Sequence, residues 1–103
     1  MTDTSPVPNT HDSNRREADT MPLFLDIHRH VPGLTKDAVH GAHQQDLAVQ
    51  GGHDVEYLKY WFNEATGQVF CLVRAPDKEA AIRVHREAHG LIPDDIIEVE
   101  EGR

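Results

Sequence analysis

The sequence predicts an α+β domain of ferredoxin-like type, a βαββαβ chain whose antiparallel sheet carries two helices on one face and dimerises through the other. Three observations point there. Four stretches show strand-like apolar patterning, two capped stretches with helical spacing separate them, and a tight turn joins the two middle strands.

Pro22 to His30 reads as the first strand, with Leu23, Leu25 and Ile27 on one face and Phe24, Asp26, His28 and His30 on the other. Pro32 and Gly33 end it, and Thr35 is placed to cap a helix over Lys36–Val49. At about 100° per residue, Leu34, Ala38, Ala42 and Val49 share one side of that helix. Gly51 and Gly52 close it. Val55–Glu64 is a long aromatic strand, and Ala65-Thr66-Gly67 turns it into Val69–Arg74. Pro76 and Asp77 open a second helix that runs to about His89 and stops at Gly90. A last short strand, Ile96–Glu100, follows Pro93-Asp94-Asp95. On the long strand, Tyr57 and Trp61 alternate with Leu58, Tyr60 and Phe62, so both faces are bulky and apolar. Two helices cover only one face of a sheet, so a homodimer is expected to bury the other.

Residues 1–20 hold only Met1, Val7 and Ala18 as apolar side chains and are expected to form a disordered tail. Residues 21–103 are the expected ferredoxin-like domain, small enough for oligomerisation to be a natural supplement to its core. The 103-residue chain has a formal net charge of -8, which argues against a nucleic-acid partner. No stretch approaches the roughly 20 apolar residues of a membrane span, and the N-terminus lacks the apolar segment of a secretory signal. One cysteine forms no internal disulfide, which suits a cytoplasmic protein. The unusual count is eight histidines against ten lysines plus arginines.

Six of those histidines fall in three pairs. His28 and His30 share a strand face with Asp26, so two imidazoles and a carboxylate can converge on one ion. On the first helix, His40 with His43, or His43 with Asp46, has chelating spacing; the plain alternative is a solvated polar face. The second helix carries His85-Arg-Glu-Ala-His89, whose i, i+4 rings stand one turn apart. A metalloprotease is excluded, because Arg86 occupies the position of the general base and Ala88 breaks the inverted order. Cys71 reads first as a small buried hydrophobe, and the lack of a C-x-x-C excludes a structural thiolate zinc site. No G-x-G-x-x-G, Walker loop or G-x-S-x-G occurs.

The segments MPLFLDIHRH, AVHGAHQQDL, VEYLKYWF, VFCLVRAPDKEAA and VHREAHGLIPDDIIEV make the chain similar to the small bacterial nickel-binding ferredoxin-like proteins, formerly a domain of unknown function. The resemblance covers residues 21–103, and FCLVRAPD and HREAHG are its most specific parts. It implies a dimer that binds Ni²⁺ near its surface for sequestration or detoxification, without established catalysis. The histidine-bearing segments carried over are His28 with His30, His43 with Asp46, and His85 with His89.

Two functions from different classes follow. Histidine and carboxylate ligands suit Ni²⁺ but equally Cu²⁺, Co²⁺ and Zn²⁺, so the metal reading has support from the residues and the choice of nickel comes from the resemblance. The alternative is a small dimeric α+β-barrel enzyme, of oxygenase or isomerase type, with a pocket around Asp26, His28 and Cys71. A deep apolar pocket lined by His28 favours the enzyme; shallow surface histidine clusters favour storage.

Overall fold

A computed structural model describes residues 21–102; the expected tail over 1–20 lies outside them. Alternating side chains build β1 (Leu23–His28), whose Phe24, Asp26 and His28 are buried while Leu23, Leu25 and Ile27 are half-buried on the opposite face. The polar set of this strand therefore points inward. Thr35 caps α1 (Lys36–Val49), its hydroxyl accepting from the Ala38 amide at 3.1 Å. A short 3-10 turn, Gln50–His53, continues the helix past the point where the two glycines were expected to stop it. The chain then runs through β2 (Glu56–Asn63), β3 (Gln68–Arg74), α2 (Lys78–Ala88) and β4 (Asp95–Val99). Every expected element is present, with ends within about two residues of the expected ones.

The four strands form one sheet in the order β2-β3-β1-β4, with every neighbouring pair antiparallel. Each helix links two strands that have a third between them, which is the ferredoxin-like arrangement. One sheet face, through Phe24, Val69, Cys71, Val73, Tyr57 and Ile96, packs on Val39 of α1 and on Ala80, Ala81 and Val84 of α2.

Two expectations need correcting. Strict alternation in β2 set Tyr57 and Trp61 against Tyr60 and Phe62. The β2–β3 register slips between Tyr57 and Lys59, so Leu58 is an extra residue. Such a bulge reverses the facing of everything after it. Tyr57, Tyr60 and Phe62 consequently pair with Val73, Cys71 and Val69 on the helix side, and Trp61 pairs with Phe70 on the open side. In α1 the deepest residues are Val39 and Asp46, two turns apart, rather than the expected Leu34, Ala38, Ala42 and Val49 side. A helix read by apolar residues alone misplaces its buried stripe when a carboxylate belongs to it.

The hairpin turn also anchors the end of β1. Gly67 adopts φ +80° and its carbonyl accepts from the Val31 amide at 2.8 Å. A Cβ there would stand 3.2 Å from the Val31 backbone and 2.8 Å from His30 Nδ1. Gly67→Ala is expected to cost about 1 kcal/mol or more, read as a lowered melting temperature, because the positive φ and the backbone contact both oppose a side chain.

Candidate functional site

Asp26 lies in the central strand β1, opposite Cys71 of β3 on one side and Ile96 of β4 on the other. It is fully buried between the sheet and α2. Its Oδ2 accepts from the Tyr57 hydroxyl at 3.0 Å and from His85 Nε2 at 2.9 Å. Its Oδ1 receives no hydrogen bond, and His28 Nε2 stands 3.5 Å away. Asp46 of α1 approaches from the other layer, with Oδ1 2.8 Å from His85 Nδ1 and 3.0 Å from His89 Nε2. His85 thus sits between two buried carboxylates, one on each ring nitrogen. A ring that donates from both nitrogens is an imidazolium.

The electrostatics follow from that geometry. Burial alone would drive His85 toward its neutral form, but the hydrogen bonds and charges of Asp26 and Asp46 overcome it and push the ring up to about 9. Burial likewise opposes charge on Asp26, and the imidazoles of His28 and His85 hold it down at about 2 nonetheless. Asp46 is lowered, its burial outweighed by His85 and His89. Burial pushes the Cys71 thiol and the Tyr57 hydroxyl up, and the Asp26 charge adds to both. His43 is lowered by its partial burial, with Asp46 opposing.

Two donor groups result. One ligand atom from each of Asp26, His28, Cys71 and His85 lies within 4.8 Å of all the others, and the same holds for Asp46, His85 and His89. Donors around one ion with bonds of about 2.1 Å lie no more than roughly 4.2 Å apart, so small side-chain adjustments close either group on an ion. Four of the six residues expected as ligands, His28, Asp46, His85 and His89, belong to these groups. The other two do not. His30 is exposed, with Nδ1 3.2 Å from the Thr66 carbonyl oxygen. His43 lies against the Tyr60 ring, centroids 4.7 Å apart, and lines the pocket above. His40 is exposed, and His53 pairs with Glu87 at 3.0 Å. Asp26, expected beside His28 as a carboxylate that could join an ion and also for the enzyme reading, and Cys71, expected only for the enzyme reading, join the first group; Tyr57 was not foreseen, because its partner Asp26 lies on another strand and no local pattern encodes that contact.

Above these groups a pocket of about 70 Å³ opens between α1 and the sheet. Val31, Leu34, Ala38, Ala42 and Leu91 line its sides, and His28, Cys71, His85, Asp46 and His89 also border it. Of the candidate histidines, His28 and His85 are buried beneath this opening, His43 and His89 are half-buried at it, and His30 is exposed.

A family profile described as nickel responsive protein SCO4226-like matches residues 24–99. The chain belongs to this family. It is similar to SCO4226 from Streptomyces coelicolor A3(2), known from a crystal structure, at 41% identity, with 79% of this chain and 99% of that chain covered and a TM-score of 0.73. None of the curated proteins matches. The resemblance read from the sequence segments is thereby established, and the α+β architecture agrees with it.

The buried ion network gives the metal-free protein a defined pH window. His85 has a folded value near 9 against 6.5 for the free side chain, so its stabilisation is complete below 6.5 and is lost as pH rises through 9. Asp26 has a folded value near 2 against 3.8, so its stabilisation is complete above 3.8 and is lost as pH falls through 2. The melting temperature of metal-free protein should therefore be highest between about pH 4 and 6.5 and decline by pH 9.5. Asp46→Asn removes one of the two carboxylates on His85, so in that variant the alkaline decline should begin at lower pH.

Proposed function

We propose that this protein binds a divalent transition-metal ion, nickel, as cargo, and that it serves nickel sequestration or detoxification in the cytoplasm, without nucleic-acid or membrane partners. The observation that carries the reading is the convergence of Asp46 Oδ1 on both His85 and His89 at 2.8 and 3.0 Å. Two imidazoles and a carboxylate are a donor set that nickel accepts and that calcium or magnesium would not select. The surroundings fit a cation: two buried carboxylates face one imidazolium, and Asp26 Oδ1 accepts no hydrogen bond, with only His28 Nε2 nearby at 3.5 Å. Membership of a nickel-responsive family favours nickel over copper, cobalt and zinc. His28 belongs to the neighbouring donor group, while His30 and His43, placed apart, are outside the proposed ligand set.

The ion competes with protons for His85 and His89, since a protonated nitrogen has no lone pair. The sequence alone suggests an affinity falling between about pH 7.5 and 5.5, the range of a free imidazole. With His85 held charged up to about 9, affinity should instead keep rising from pH 6 to pH 9. Calorimetric titration with Ni²⁺ on untagged protein measures this. His89→Ala and Asp46→Asn should each weaken binding at least tenfold, and the double variant should add little, because both residues act on one ion. Unchanged affinity in both single variants overturns the assignment.

We further propose a homodimer joined through the open sheet face. Leu23, Leu25, Ile27, Phe70 and Leu72 are only half-buried there, and Trp61 and Ile97 remain 49% and 42% exposed. An apolar surface of this kind marks an association site. Sedimentation at micromolar protein should give a dimer mass, and Leu25→Glu should give a monomer; a wild-type monomer refutes the arrangement.

A second reading, a small α+β enzyme, draws support from the pocket's apolar sides and its His28 border. On that reading His28→Ala abolishes a reaction of a small organic substrate and leaves nickel uptake unchanged.

A further inference from the structure

The donor group of Asp26, His28, Cys71 and His85 is left over by the site just proposed, apart from its shared histidine. It carries a signal of its own. Asp26 Oδ1 is buried and receives no hydrogen bond, with His28 Nε2 3.5 Å away, and Asp26 is one of four potential ligands whose donor atoms lie within 4.8 Å of one another. Buried carboxylate oxygens are ordinarily satisfied, so one that is not needs a cation or a donor. His85 connects the two groups through different atoms: Nε2 faces Asp26 at 2.9 Å and Nδ1 faces Asp46 at 2.8 Å.

We propose that the protein holds two divalent transition-metal ions with His85 as a bridging ligand, one on Asp46, His89 and His85 Nδ1, the other on Asp26, His28, Cys71 and His85 Nε2. This rests on the metal-binding reading and extends it to a second, deeper ion.

Charge decides whether such a pair can be buried, because an uncompensated charge in a protein interior is costly. The first ion displaces one proton from His85, and its two positive charges are offset by Asp26 and Asp46. The second ion displaces the other proton of the His85 ring and the proton of the Cys71 thiol. An imidazolate and a thiolate then offset its two charges, so the cluster is neutral at both stages. Coordination is sufficient to deprotonate a buried thiol. The two sites differ in ligand softness, the deeper one alone offering sulfur, so thiophilic ions would favour it.

The experiment is a titration of the full chain with Ni²⁺, counting ions per chain by native mass spectrometry and following thiolate-to-nickel charge-transfer absorption. Two ions per chain are expected, with an absorption band from the deeper one. Cys71→Ser should keep one ion and lose the band. His89→Ala should lose one ion and keep the band. Loading with Cu²⁺ provides a check that does not depend on any substitution: two ions joined by an imidazolate couple magnetically, so the paramagnetic resonance signal at two equivalents should be far below twice that at one. One ion per chain without the band overturns the bridge and leaves the single-ion site standing. Two ions with no band, or with additive copper signals, place the second ion elsewhere and overturn it too. No bound nickel removes both readings together.

Discussion

Everything distinctive about this chain depends on one imidazole held between two buried carboxylates. His85 comes from α2, Asp26 from the central strand and Asp46 from α1, so the three side chains tie together all three parts of the helix-on-sheet sandwich. Burying two carboxylates in a small domain is unfavourable unless each is paired. The pairing here is mutual: remove His85 and two like charges remain buried, remove either carboxylate and the ring loses part of what keeps it charged. The other buried residues of its own helix are small, Ala80, Ala81 and Val84, and the ring itself meets the rings of Tyr57, His28 and His89. The core thus gives up apolar volume to a polar cluster at its centre.

Much of the fold was legible in the sequence because its punctuation is strong. Thr35 and Asp77 cap the helices, Gly67 and Gly90 take positive φ at the turns, and the strands alternate. The bulge at Leu58 was not legible, since an extra residue in a strand changes facing without changing composition. Its effect reaches the pocket, because it puts Tyr60 on the helix side with Tyr57, where Tyr60 meets His43.

The candidate site was legible only in part, for a related reason. The i, i+4 spacing of His85 and His89 survives in three dimensions, with ring centroids 4.8 Å apart. Asp46 was expected to pair with His43 on its own helix, whereas its partners His85 and His89 lie on another helix, and no local pattern encodes that packing. Asp26 and His28 shared a strand face as expected, yet nothing local showed that this face looks inward. His30, two residues beyond His28, follows the same alternation but passes the end of the strand and turns to the hairpin instead. Pairs within one element can be read; convergence between elements cannot.

The position of His89 has a kinetic consequence. His85 lies within α2, while His89 is the residue at its C-cap, with φ -151°, followed by Gly90. Helix ends open far more often than helix interiors. Opening the two hydrogen bonds by which the His89 and Gly90 amides donate to the His85 carbonyl, at 3.1 and 2.8 Å, would swing His89 away from Asp46 while the His85 ring stays held by Asp26. The end of one helix would therefore act as a latch: Asp46 is exposed to the pocket by a local fraying at His89, with the rest of the helix and the sheet left intact.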